Sequence, residues 1–371
     1  MTTPDDRDEY EQRVLPATAS LSRFVEKLVS ELDLENGAFP WWSGHSDWKT
    51  LTLLADYLLQ SLQGAEDALL SASLSAQIHR QSMYAEEHSL RTVWRAAAQS
   101  KRQNAQSLMA VLPQDAQARR RRMTITSSAE NCFFHLGQSL DRLAAAAMIV
   151  GGFEIPGEIT GIYWSTLEQY AEMLKAGNQR STVLQPVETA GRAIQEALVK
   201  PVHEWQQFGP TDWFPWMRAT RNAMSHRAVG TKLNVTAGTR LTRLFYRAPK
   251  WSELQSLVFG GRPPKKPFFD AFIPVGSQEI LEGLCDSTTK MIEAVVQEMV
   301  TCWDARRANP EAIVQHGAQW PTVEPSQSAP AFPGYGPPLS ISGKQLVLHP
   351  LDARRWEAAR ASDDRVADWY R

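Results

Sequence analysis

From Trp48 onward, Leu51, Leu54, Leu58 and Leu62 return at three- and four-residue steps, which lays one apolar stripe along a core-facing helix. Ser46 or Asp47 is placed to cap its start, and Gly64 to end or kink it. The stretch from Ser75 to Leu112 is more polar, with Ile78, Tyr84, Leu90, Val93, Trp94, Leu108 and Val111 as the expected buried positions. A sharper stripe of Phe133, Leu136, Leu140, Leu143, Ala147 and Val150 starts near Ser127 and stops at Gly151 and Gly152. Its four alanines, Ala144 to Ala147, allow another helix to approach closely.

Further helices are predicted over about 164–176, 187–208 and 211–229. For the last of these, Thr211 or Asp212 can cap the start, Pro215 fits the first turn and Gly230 the end. Between Thr231 and Ile273, apolar residues alternate with threonines around Gly238, the pattern of a small hairpin. A long helix resumes over Ser277 to Ala308, with Ile280, Leu284, Met291, Val295, Met299 and Cys302 facing inward. Pro321, Pro325, Pro330, Pro333, Pro337 and Pro338 then mark an extended linker. Beyond it, Ile341 to Leu348 reads as a strand, and Trp356, Val366 and Trp369 as anchors of a docking helix.

The expected fold is therefore mainly α-helical, in four parts: a helical amino-terminal region (1–125) ending in a basic linker, a helical bundle (126–308) with a β insertion (231–273), a proline-rich linker (309–339) and a docking tail (340–371).

Composition narrows the function classes only slightly. A length of 371 residues, 43% hydrophobic and 22% charged, is that of an ordinary globular protein, and a net charge of -2 leaves room for nucleic acid only at a local basic patch. Cys132, Cys285 and Cys302 lie far apart and lack metal-ligand spacing, so a reducing cytoplasm is the expected compartment. No secretory leader, membrane span, metal or cofactor is expected; Leu143 to Gly152 is shorter than the roughly 20 residues a span requires.

Two basic segments could meet RNA. Arg119, Arg120, Arg121 and Arg122 form one run; it reads either as a solvated linker or helix start, or as a contact for phosphates or a protein partner. The second is Arg218-Ala-Thr-Arg221-Asn222-Ala-Met-Ser-His226. An arginine able to bind phosphate, an adjacent amide and a histidine that moves protons near neutral pH suit phosphodiester cleavage. Arg218, one turn before Asn222, can add a phosphate contact. On a regular helix Asn222 and His226 share a face, whereas Arg221 and His226 diverge by roughly 140°. Either the helix loosens before Gly230, or two copies face one another. A purely structural reading also stands: His226 and Arg227 ahead of Gly230 complement a helix C-terminus.

The segment Arg221-Asn222-Ala223-Met224-Ser225-His226 resembles the motif of the HEPN superfamily, an arginine, usually a polar residue, then a histidine after four to six intervening positions. The likeness covers roughly 126–308 and implies a HEPN-like bundle. It also implies homodimeric, metal-independent RNA cleavage through attack of the ribose 2′-hydroxyl. His226 would serve as general base or acid, Arg221 would stabilise the phosphorane charge and Asn222 would orient a phosphate oxygen or the imidazole. A role in stress response, a toxin–antitoxin pair or anti-phage defence, with a regulatory partner, follows from the resemblance alone. The tyrosine two residues past the histidine, found in members that are AMPylation targets, is replaced here by Ala228. The alternative from a different class is a non-catalytic helical module that binds protein or RNA.

The remaining polar candidates carry less. Asp141 could face the same cleft, with a surface ion pair to Arg142 or a lysine as its plainer role. His79 and His88, beside Glu86 and Glu87, are expected in solvent, His135 as a hydrogen-bonded core histidine, and His203 with Glu204 as a helix-surface pair.

Overall fold

The stripe that begins at Trp48 runs well past Gly64. A computed structural model of the protein describes residues 7–35, 37–42, 48–99, 115–154, 159–177, 183–226, 232–237, 240–248, 271–313, 332–337 and 349–359. Its helices are α1 (Glu9–Glu31), α2 (Trp48–Gln99), α3 (Ala116–Val150), α4 (Trp164–Lys175), α5 (Ala190–His203), α6 (Trp213–His226), α7 (Ser277–Ala308) and α8 (Pro350–Ala358). Strands β1 (Lys232–Ala237) and β2 (Arg240–Phe245) form an antiparallel hairpin, with Lys232 opposite Phe245 and Ala237 opposite Arg240. The architecture is mainly α, and no described helix is long and apolar enough to cross a membrane.

Two helices are longer than their stripes predict. Gly64 does not end α2: Leu62, Ala65, Ala68 and Leu69 are all buried, and burial of about 1.5–3 kcal/mol per large side chain outweighs the roughly 1 kcal/mol cost of a helical glycine. Helix α3 starts eleven residues before Ser127, so the arginine run is helical and not a linker. Tyr84, expected inside, is 56% exposed. Trp94, Leu108, Val111 and the strand expected at Ile341 to Leu348 lie outside the described residues or side chains, as do Val366 and Trp369.

Contacts gather the protein into two compact units, each discontinuous in sequence. One comprises Met1–Leu21, Gly64–Asp141 and Pro201–Val296; the other comprises Ser22–Gln63, Arg142–Lys200 and Gln297–Arg371. The boundaries fall inside α1, α2, α3, α5 and α7.

In the first unit, α3 is held against α2 by a buried histidine. His79 has no exposed surface; its Nδ1 lies 2.9 Å from the Ile125 carbonyl and its Nε2 lies 2.7 Å from Ser277 Oγ. The carbonyl can only accept, so Nδ1 carries a proton. The expectation of a solvated His79 is thus overturned, because Ile125 and Ser277 supply the partners that burial demands. His135 is corrected the other way: it is half-buried and bonds Gln138 at 3.1 Å on the surface. Phe133, Trp216 and Phe245 meet edge-on at 5.7–5.9 Å between centroids and seat the hairpin. Arg243 of β2 donates to Thr126 of α3 at 3.1 Å, and burial pulls its pKa down to about 10.

The second unit is built round Trp303, which meets Phe24, Phe39, Trp41 and Trp42. Arg306 lies buried beneath it, donates to the terminal carbonyls of Ile149 and Val150 and covers the Trp41 ring at 5.5 Å. Its guanidinium thereby caps the C-terminus of α3. The tail helix α8 docks through charge and not through Trp356, which is 43% exposed. Arg354 Nε donates to the Val29 carbonyl at 2.7 Å near the end of α1, and Arg355 pairs with Asp56 at 2.6 Å. The first residues after α7 are packed as well, with Ile313 1% exposed, so the extended linker begins later than residue 309.

His79→Ala strands the Ser277 hydroxyl and the Ile125 carbonyl and opens a cavity, and should lower stability by about 3 kcal/mol. His88→Ala, at an exposed site on the same helix, should stay within about 0.5 kcal/mol. Urea denaturation of both variants checks the contrast.

Candidate functional site

Helix α6 follows from its own stripe: Trp213, Phe214, Met217, Thr220 and Ala223 are buried, while Pro215, Ala219 and Asn222 are exposed. Asp212 precedes the helix with a left-handed φ of 61°, and its carbonyl accepts from Trp216 N at 3.0 Å. The start is pinned by two indoles: Trp213 Nε1 donates to the Trp205 carbonyl and Trp216 Nε1 to the Tyr246 carbonyl, each at 3.0 Å. Arg218 lies 5.5 Å from the Phe214 ring centroid in a cation–π contact.

The helix does not loosen before it reaches His226. Ser225 Oγ donates to the Arg221 carbonyl at 2.9 Å, which ties the last turn further. Position 226 therefore continues the row of Pro215, Ala219 and Asn222. The His226 side chain itself, with Arg227, Ala228 and Gly230, lies outside what the structure describes.

Arg221 leaves that row toward α3. It passes over Gly137, where an added Cβ would stand 2.9 Å from Nε and 3.4 Å from Cζ. Beyond the glycine its Nη2 meets Asp141 Oδ2 at 3.4 Å, and Nη1 donates to Asn222 Oδ1 at 3.1 Å. Nε is buried with no hydrogen-bond partner. The side chains of Arg221 and Asp141 keep 30% and 23% of their surface. The structure thus brings Arg221, Asn222 and Asp141 together and presents them to water.

The sequence offers Asp141 either a place at the same cleft or a surface ion pair; the geometry sets it within ion-pair distance of the motif arginine. Gly137, which the motif does not include, leaves the room that Arg221 occupies. A glycine inside an otherwise apolar helix is the sequence signal that points to a close approach there.

The basic run on α3 divides into two pairs. Arg121 Nε and Arg122 Nε reach the two oxygens of the buried Glu86 at 3.0 and 3.1 Å, and Arg121 also donates to Ser89. Four cations in the first turns of a helix oppose its dipole, and Glu86 offsets that cost. Arg121 and Arg122 are therefore committed to the fold, whereas Arg119 and Arg120 are exposed. Among the described residues no group of three or more His, Cys, Asp or Glu side chains is arranged to hold a metal ion. Cys132 and Cys285 are buried with their sulfurs 3.9 Å apart as thiols, and mutual contact and burial push the Cys132 thiol up.

No family model matches this sequence, and no curated protein or solved structure matches it.

Gly137→Ala places a methyl group against Arg221 Nε. The Arg221 side chain must shift and loosen its contacts to Asn222 and Asp141, which offsets the better helix propensity of alanine, so stability should stay within about 1 kcal/mol of the wild type. The Arg221 Nε–H resonance in a ¹H–¹⁵N spectrum should nonetheless shift as the guanidinium moves off α3.

Proposed function

We propose that the protein is a HEPN-like endoribonuclease that cleaves RNA without a metal and acts as a homodimer. The observation that supports this best is the Arg221 guanidinium: it packs against α3, is partly exposed and bonds the exposed Asn222, which lies one turn before His226 on the same helix. A fixed, solvent-facing arginine is suited to a phosphate whose charge grows during reaction.

In this reaction a histidine accepts the proton of a ribose 2′-hydroxyl, and O2′ attacks the adjacent phosphorus. The bond from phosphorus to O5′ then breaks, and the departing oxygen takes up a proton. The products are a 2′,3′-cyclic phosphate and a 5′-hydroxyl, with no net oxidation. Base and acid are required together, and His226 from each of two copies supplies both. Arg221 stabilises the phosphorane, and Asn222 orients a phosphate oxygen or the imidazole. Arg218 and the exposed Arg119 and Arg120 fit contacts to flanking phosphates. A cytoplasmic setting, a defence or stress role and a regulatory protein partner belong to the same reading.

One observation favours the other class. Asp141 neutralises part of the Arg221 charge, as in a helical module that binds RNA or protein without cleaving it.

Incubation of the purified protein with mixed RNA in EDTA separates the two. Cleavage should leave 2′,3′-cyclic phosphate ends and fall by about 10²-fold or more in Arg221→Ala and in His226→Ala. Undiminished cleavage in both variants removes these residues from the chemistry, and no cleavage by the wild type favours the binding module.

A further inference from the structure

Two carboxylates of the first unit meet arginines in contrasting ways. Glu86 is 6% exposed and engages Arg121 and Arg122 at 3.0 and 3.1 Å. Its two oxygens are each committed to a guanidinium, as expected of a pair that belongs to the fold. Asp141 touches Arg221 with one oxygen at 3.4 Å, well beyond the about 2.8 Å of a tight charge-assisted bond. Both side chains of this second pair stay partly in water.

The arginine is better fixed than the contact that neutralises it. Gly137 leaves room for the guanidinium plane against α3, Asn222 accepts from Nη1, and Nε stays buried without a partner. A guanidinium can grip an oxyanion with two parallel hydrogen bonds, and Asp141 supplies one long one. A phosphate has more acceptor oxygens than that single carboxylate contact.

We propose that Asp141 is the resident counter-anion of Arg221, which a phosphate of single-stranded RNA must share or displace, so that this carboxylate sets the binding threshold of the site. The inference rests on the RNA reading above. Asp141 acts through Arg221 and does not touch the reacting atoms. Its effect therefore falls on affinity and salt dependence, which a purely structural carboxylate would not alter.

The test uses the full-length protein and a short 2′-O-methylated RNA, which lacks the attacking hydroxyl and cannot be cleaved. Asp141→Asn should bind this probe about fivefold more tightly at low salt, the value of an exposed ion pair no longer competing. The plot of log K against log salt should steepen by about 0.7, the release expected for one added phosphate contact on a single strand. Asp141→Glu should behave as wild type, and Arg221→Ala should abolish the gain in the double variant. If Asp141→Asn lowers the thermal midpoint, Asp141→Ser provides the same removal of charge with a smaller side chain. Equal or weaker binding with an unchanged slope overturns the assignment, as does absence of binding by every variant. A gain in Asp141→Asn without cyclic phosphate ends in the EDTA assay removes the nuclease reading and leaves the counter-anion standing; cleavage without that gain does the reverse.

Discussion

Helix α3 carries a long buried stripe, and most of the first unit packs against it. Its early turns are held to α2 by Glu86 and His79, its middle faces α7 at Cys132 and Cys285, and its remaining flank carries first the hairpin and then α6. The residues on that last flank, Thr126, Phe133, Gly137 and Asp141, fall seven, four and four positions apart, which keeps them on one side of a helix. A single stripe therefore fixes the hairpin and the arginine of α6 alike. Size differs from position to position: an aromatic ring where Phe133 meets Trp216, and a glycine where Arg221 passes over residue 137.

Much of this is legible in the pattern of apolar positions. The helix over Ser277 to Ala308 and the helix from Trp164 match the structure at or within a residue of their bounds, because each has a continuous stripe with a clear stop. Gly64 misleads because local preference marks it as an interruption that its buried neighbours override, whereas the arginine run, readable as a linker or a helix start, lies at the start of α3, where Glu86 balances its charge. His79 misleads likewise: its neighbours Glu86 and Glu87 are polar, but burial is decided by Ile125 and Ser277, far away in sequence. At the candidate site, the sequence can place Asp141 near the same cleft as Arg221 and Asn222, but not pair it with the arginine, since 80 residues separate the two.

Buried cations show how far side chains take over backbone duties. Arg306 is pushed below its ordinary pKa by burial, yet it replaces water at the last carbonyls of α3, where charge and dipole have favourable signs. Arg192, 3% exposed, donates toward the carbonyls of Leu174 and Gln185, and Arg354 does so at the end of α1. In each case the cation meets carbonyl oxygens, not a carboxylate alone. Arg221 is different: its partners are side chains, it remains partly exposed, and no helix end requires it.

That difference bears on how Arg221 and His226 could serve one phosphate. Helix α6 is continuous through position 226, so the two residues leave it on sides roughly 140° apart. Asp141 and Gly137 draw the arginine further toward α3, away from the row that contains Asn222 and position 226. A loosened helix end could have reconciled the two, but the turn closed by Ser225 and Arg221 is intact. On the proposed reaction, the divergence along α6 means that Arg221 and His226 of one copy would serve different phosphates, or one phosphate approached from a second copy; in a two-fold dimer, were it formed through the exposed row of α6, the second arrangement would follow from symmetry. On the proposed reaction this also resolves the proton balance, since base and acid are then the same residue from two copies.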